Sequence, residues 1–227
     1  MIAGGKAHAF VANLDVPELD DGDRHHLERV LRLRPGDEIT VGDGRGGWRA
    51  CRFGREIEPV AEIAFEAAAT PQLTIGFALV KSDKPELVVQ KLTELGIDRI
   101  VPFTAARSVV RWDAEKAAKA RVRLAAVARE ASMQSRRTWL PRVEPVASFD
   151  DLAGEGAALC ERGGGAPSLV RTTFLIGPEG GWSPEERSRG LPEVALGPNV
   201  LRAETAAVAL GAVLGALRAR IIAGHAE

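Results

Sequence analysis

Tyrosine is absent from the 227 residues, and the chain carries only two cysteines, two methionines and four tryptophans. Two thiols, Cys51 and Cys160, cannot make a disulfide framework, and the four histidines are scattered apart from the adjacent His25 and His26. No zinc-type ligand spacing results, so no metal centre is expected and both thiols should be reduced. The longest strongly apolar stretch, over 206–217, falls short of the roughly 20 residues a membrane helix requires. No signal peptide opens the chain. These absences predict a cytoplasmic protein without membrane attachment. The main glycine-rich run, over 42–47, is followed by a strand pattern and not by a helix, and G-x-x-x-x-G-K-[ST] does not occur. Dinucleotide and triphosphate cradles both need a helix N-terminus behind their glycines, so neither class is indicated.

Charge is balanced: 30 lysines and arginines stand against 31 acids, for a net charge of -1. That excludes a uniformly basic nucleic-acid binder but permits segregated patches. Arg24, His26, Arg29 and Arg32 crowd one N-terminal segment, while Lys81, Lys84, Arg107, Arg136 and Arg137 recur through the middle. With aromatics at 5% of the chain, arginine is the residue left for stacking on bases as well as for gripping phosphates, and these nine side chains are the expected RNA contacts.

Pattern divides the chain in two. Residues 1–70 read as a small β-rich domain: strands over 6–11, 38–41, 48–53 and 60–65, one helix over 23–33 with Leu27, Val30 and Leu31 on one side, and a turn at Arg34-Pro35-Gly36-Asp37. After a linker over 66–71 the period changes to alternating strands and helices. Strands are predicted over 73–80, 100–103, 157–160, 173–176 and 193–196, and helices over 86–95, 113–134 and 204–222. Alternation over residues 71–227 predicts an α/β domain with a mostly parallel sheet covered on both faces.

Two loops stand out, each launched from an apolar run. Leu175-Ile176 runs into Gly177-Pro178-Glu179-Gly180-Gly181, and Leu196 runs into Gly197-Pro198-Asn199, then Leu201-Arg202-Ala203-Glu204-Thr205. Glycine allows sharp turns and close backbone approach, proline stiffens them, and both loops lie at carboxyl ends of buried strands, where open α/β sheets bind ligands. The expected pocket residues are Leu175, Ile176, Gly177, Gly180, Gly181, Leu196, Gly197, Pro198 and Leu201. Apolar walls beside exposed backbone amides suit an adenine ring whose edge is read by main-chain hydrogen bonds. Cys160 is expected in the core or pocket wall, and Gly211 and Gly215 on the last helix allow close helix packing, read as dimer packing.

These two motifs resemble the paired signatures of the RsmE family, uridine-N3 methyltransferases of 16S ribosomal RNA in the SPOUT class. Further segments agree: Lys81-Ser82-Asp83-Lys84 with Gln90-Lys91-Leu92-Thr93-Glu94-Leu95-Gly96, the Arg107-Ser108 loop, Ala131-Ser132-Met133-Gln134-Ser135-Arg136-Arg137, and His26 with Val30-Leu31-Arg32. The chain departs from the family pattern at Trp182, Asn199 and Ala203. The resemblance implies a PUA-like β-barrel followed by a SPOUT domain with a trefoil knot, S-adenosylmethionine as cofactor, a homodimer, and 16S RNA or the small ribosomal subunit as partner. N3 of uridine carries a proton on the pairing edge, so the base must be splayed out and charge developing on its oxygens needs a positive partner. Arg202 is the expected partner; Glu204 takes the proton or positions Arg202, with Glu179 a weaker candidate base. A binding module that keeps a nucleotide-sized pocket without catalysis is the competing reading, and a dehydrogenase-like α/β enzyme a third.

Overall fold

The computed structural model describes residues 4–80 and 84–223, and the chain forms two compact units. The first comprises Met1–Ala69 together with Arg129–Leu140, the second Thr70–Ala128 and Pro141–Glu227. Sequence periodicity places a single boundary at 70/71 and misses the returning segment. That segment is held by specific partners: the Arg129 guanidinium donates to Asp23 at 2.8 Å and to the Phe10 carbonyl at 3.1 Å, and Leu140 N–H donates to the Gly44 carbonyl at 3.0 Å.

The first unit is a five-stranded sheet. Its strands are β1 (His8–Phe10), β2 (Glu38–Gly42), β3 (Gly47–Arg52), β4 (Glu58–Pro59) and β5 (Ala64–Phe65), in the order β1-β2-β3-β4 with β5 also on β3. The expected single strand over 60–65 is instead two short pairings with opposite ends of β3. Between them the Arg49 guanidinium occupies the Ala61 carbonyl at 2.7 and 3.0 Å, taking the place of a ladder bond. The 42–47 run is a turn, as its composition predicts: one oxygen of Asp43 accepts from Arg45 and Gly47 N–H groups at 2.7 and 3.0 Å. Ile39, Val41, Cys51, Phe53 and Leu27 form the core, where burial pushes the Cys51 thiol up to about 11.

The helix expected over 23–33 differs in kind. Asp20 caps α1 (Asp21–His25) by accepting from Asp23 N–H at 2.7 Å, and the chain then widens into a π-helix over His26–Val30. With Leu31 N–H bonded to the His26 carbonyl at 3.1 Å, the 3.6-residue period is lost. Leu27 stays buried while Val30 and Leu31 turn outward, 61% and 46% exposed.

The second unit is a sheet of seven strands, every pairing parallel. They are β6 (Thr74–Ala78), β7 (Arg99–Thr104), β8 (Arg142–Val143), β9 (Ala147–Ser148), β10 (Ala158–Gly165), β11 (Thr173–Ile176) and β12 (Glu193–Val194), ordered β12-β10-β11-β6-β7-β8 with β9 also beside β7. Helices are α2 (Lys84–Glu94), α3 (Ala114–Gln134), whose residues from Arg129 onward belong to the first unit, α4 (Phe149–Ala153), α5 (Pro184–Arg187) and α6 (Ala203–Arg218). Side-chain alternation along the strands feeds two cores. Ile75, Phe77, Ile100, Phe174 and Ile176 pack with Leu92 of α2 and Leu210 and Leu214 of α6, and Val101, Phe103, Leu159 and Leu175 pack with Phe149 and Leu152 of α4.

Gly211 and Gly215 serve packing within the chain and not the dimer contact read from their spacing. A Cβ on Gly211 would lie 2.9 Å from Leu92, and one on Gly215 2.8 Å from the Leu95 carbonyl, so α6 lies directly against α2. No helix among the described residues is long and apolar enough to cross a membrane.

Candidate active site

The first Gly-Pro loop is built on β11 and fastened at both ends. Gly181 N–H donates to the Pro178 carbonyl at 2.8 Å, closing a turn in which Gly181 has φ +68°. The next residue, Trp182, is 2% exposed, stacks on Phe103 at 6.2 Å between ring centres, and donates through Nε1 to the Cys160 carbonyl at 3.2 Å. Ser183 and Glu186 form a reciprocal capping box at the start of α5. The other Glu186 oxygen accepts Ala106 N–H at 2.8 Å, and Arg107 donates to the Gly180 carbonyl at 3.2 Å. The loop after β7 thus braces the loop after β11.

The second loop leaves β12, where Ala195 N–H reaches the Gly165 carbonyl at 2.8 Å. Gly197 has φ +135°, a conformation that disfavours any side chain. Arg202 then caps α6 with extended backbone geometry, its carbonyl accepting Ala206 N–H at 2.8 Å.

Between the two loops lies a cleft of about 290 Å³. Of the nine expected pocket residues it is lined by Ile176, Gly177, Gly181, Leu196, Gly197 and Leu201. Leu175 points to the opposite face of the sheet, into the core with Leu152, because adjacent strand residues alternate. Gly180 faces Arg107, whose Cβ lies 3.3 Å from a built Cβ, and Pro198 is off the lining. Cys160 is in the wall, as expected, with burial pushing its thiol up to about 12. Sequence reasoning missed Glu161 and Arg162. The strand was expected to end at Cys160, since the following glycines read as a loop, yet β10 continues to Gly165. Trp182 was noted only as a departure from a motif, although a large aromatic just after a glycine run is itself a signal of a pinned loop.

Gly177 owes its identity to that indole. A Cβ there would lie 2.9 Å from Trp182 Cε2, not in the open cleft. Gly177→Val should therefore act by displacing Trp182 and the turn it anchors, lowering affinity for a cleft ligand at least tenfold; calorimetric titration showing unchanged affinity would contradict this.

Electrostatics at the mouth centre on Glu204, in the first turn of α6. Lys84 at the start of α2 pairs with Glu204 Oε1 at 2.9 Å and approaches Glu179 at 3.8 Å. Desolvation opposes ionisation of Glu204, but the hydrogen bond from Lys84, the backbone N–H of Glu204 and the charges of Lys84 and Arg202 outweigh it. Its carboxyl is held below the ordinary glutamate value. Arg202 is exposed, and its guanidinium makes no hydrogen bond or ion pair among the described residues. It flanks the cleft between Leu201 and Ala203, both of which line it; Glu204 itself is off the lining.

The other expected RNA contacts separate into two groups. His26, Arg29 and Arg32 are exposed, with Arg32 in the left-handed region at φ +54°. Arg24 instead donates to the Gly54 and Arg55 carbonyls at 2.9 and 3.1 Å. Arg136 donates to the Gly4 and Gly5 carbonyls, the latter at 2.6 Å, and Arg137 to the Trp139 carbonyl at 3.1 Å. These three arginines tie loops of the first unit together, their donors engaged by carbonyls. Lys84 is engaged by carboxylates and Arg107 by the Gly180 carbonyl, as described, and Lys81 lies outside the described residues.

Residues 68–215 match the profile of an RNA methyltransferase domain, and residues 19–56 that of an RNA methyltransferase PUA domain. Ribosomal RNA small subunit methyltransferase E of Mycobacterium bovis is 35% identical over 236 residues, covering 88% of this chain and 86% of the relative. The chain belongs to the ribosomal RNA small subunit methyltransferase E family. The Bacillus subtilis member of this family is 34% identical, covering 80% of this chain and 82% of its own. The Neisseria gonorrhoeae member, solved bound to S-adenosyl methionine, superposes with a TM-score of 0.79 at 28% identity, covering 93% and 97% of the two chains. The cleft and its two Gly-Pro loops fall within the matched methyltransferase domain.

Proposed function

We propose that the chain methylates N3 of a specific uridine in 16S ribosomal RNA of the small subunit, using S-adenosylmethionine, in the cytoplasm and as a homodimer. The observation that carries the reading is the cleft: apolar walls from Ile176, Leu196 and Leu201, main-chain polar groups from two rigid glycine turns, and an unpaired Arg202 at its flank. This combination fits an adenosine-like ligand and lacks the lysine-serine cradle of a polyphosphate site. The cofactor supplies an electrophilic methyl group. Arg202 stabilises negative charge on the uracil oxygens as the weakly acidic N3 proton passes to water. Glu204 is ionised but off the lining, which favours its positioning role over direct proton transfer.

Several features support the finer parts of this reading. The chain passes from β11 across β10 to β12 and returns as α6 onto α2, β6 and β11, a course consistent with a threaded trefoil knot. Between Glu204 and Arg218, α6 carries no charged residue, and Ala212 is exposed on it, leaving an apolar surface suited to a second copy. Residues 1–70 are assigned as the RNA-binding domain, completed by the returning segment, and 71–227 as the methyltransferase domain.

Titration with S-adenosylmethionine followed by tritium transfer to unmodified small-subunit RNA or particles tests the proposal. Binding without transfer to either would support the non-catalytic binding module instead. On the first unit, replacing Arg29 and Arg32 together by alanine should weaken RNA binding and reduce the slope of log affinity against log salt by about 1.4, from ~0.7 per single-strand phosphate contact. An unchanged slope would remove them from the interface.

A further inference from the structure

We propose that Lys84 is a positioning residue for the transfer reaction: its ammonium holds the Glu204 carboxylate at the base of α6 and reaches Glu179 on the first Gly-Pro loop, leaving Arg202 free for the substrate. The inference rests on the methyltransferase reading of the cleft. Two distances and two exposures carry it. Lys84 Nζ is 2.9 Å from Glu204 Oε1 and 3.8 Å from Glu179 Oε1. Glu204 is 14% exposed at its side chain, whereas Glu179 is 64% exposed and lines the cleft. One lysine on α2 therefore faces a carboxylate from each of the two segments that frame the cleft.

The second Glu204 oxygen, Oε2, is buried without a hydrogen-bond partner among the described residues. A buried carboxylate with one orphaned oxygen is an attractive target for the nearest guanidinium, and Arg202 stands two residues away at the cap of the same helix. Lys84 supplies the compensating charge from another element. The carboxylate then remains ionised chiefly through Lys84, with the charge of Arg202 a smaller contribution. Among the described residues, the charged groups facing Glu204 are Lys84 from α2, Arg202 from the cap of α6, and Glu179 through Lys84.

Loss of Lys84 has two separable consequences. Desolvation, the largest influence on Glu204 and the one that favours its neutral form, would be left without its main counterweight. Glu204 would then titrate above the ordinary glutamate range, or would capture Arg202 to stay charged. Either outcome lowers turnover more than it lowers binding, since the apolar walls from Ile176, Leu196 and Leu201 are untouched.

The decisive measurement is the carboxyl carbon-13 titration of Glu204 in the ligand-free protein, assigned by comparison with Glu204→Gln, in the unaltered protein, Lys84→Gln and Lys84→Arg. Lys84→Gln removes the charge and keeps a polar side chain beside the two carboxylates, so it is the principal variant. We expect Glu204 to titrate below ordinary glutamate in the unaltered protein and in Lys84→Arg, and at least one pH unit higher in Lys84→Gln. Transfer assays should show kcat at least tenfold lower in Lys84→Gln, KM for both substrates within about threefold, and recovery in Lys84→Arg. An unchanged Glu204 titration with unchanged kcat in Lys84→Gln would overturn the proposal, as would a loss confined to KM. Absence of transfer by the unaltered protein would defeat the methyltransferase reading, whereas the ligand-free titration tests the Lys84 contact independently.

Discussion

Arg202→Ala is expected to lower methyl transfer by about 10²–10³-fold, the loss typical of removing one preorganised donor from developing charge, with cofactor affinity held within a few fold. The expectation follows from position. Arg202 is exposed, its guanidinium makes no hydrogen bond or ion pair among the described residues, and it sits between two residues that line the cleft. An arginine locked in a salt bridge would show its largest effect on stability; this one should show it on rate. Single-turnover transfer on unmodified RNA, alongside calorimetric titration of the cofactor, separates the two. A rate within threefold of the unaltered protein would strip Arg202 of its role.

The largest effect on folding should come from Trp182→Ala, at about 3–5 kcal/mol, the usual cost of deleting a buried aromatic side chain. Trp182 is 2% exposed, stacked on Phe103 and tilted against Phe149 at 5.7 Å between ring centres. Its loss would also remove the Nε1 donor from the Cys160 carbonyl, which accepts it at 3.2 Å. At roughly 2–4 °C per kcal/mol for a chain of this size, thermal unfolding should shift by on the order of 10 °C. Trp182→Phe separates the two contributions: it keeps most of the ring and loses the donor, and should cost about 1 kcal/mol from the hydrogen bond, plus a smaller packing loss. Equal shifts for both variants would mean that ring packing contributes little to fastening the first loop.

Much of this architecture was readable from residue order alone. The strand over Thr173–Ile176 was predicted with its observed ends, because four apolar or β-branched residues run into Gly-Pro. The parallel sheet followed from alternating strand and helix patterns, and Asp113 was expected to open the long helix that begins at Ala114, where it accepts Lys116 N–H at 2.8 Å. Short elements were not readable. Strands β8 and β9 are two residues each, too brief to show any period, and the π-helix at His26–Val30 obeys a spacing that a 3.6-residue template cannot detect.

The site was legible as two loops but not as a network. Motif spacing located the glycines, and six of the nine chosen residues line the cleft. What spacing could not reveal was pairing across long sequence separations. Clustering with other cations places Lys84 among the expected RNA contacts, yet it faces two carboxylates. Arg24, Arg136 and Arg137 were grouped in the same way, and each caps loop carbonyls of the first unit. A guanidinium offers five donors, so a cluster of arginines in sequence is equally compatible with internal tethers and with an anionic partner.

The return of residues 129–140 to the first unit has a consequence for biosynthesis. An emerging nascent chain exposes Asp23, Phe10 and Gly44 long before Arg129 and Leu140, their partners, have been translated. The amino-terminal portion therefore cannot reach its finished form in strict order of synthesis, and a fragment cut at the linker would lack part of its own architecture.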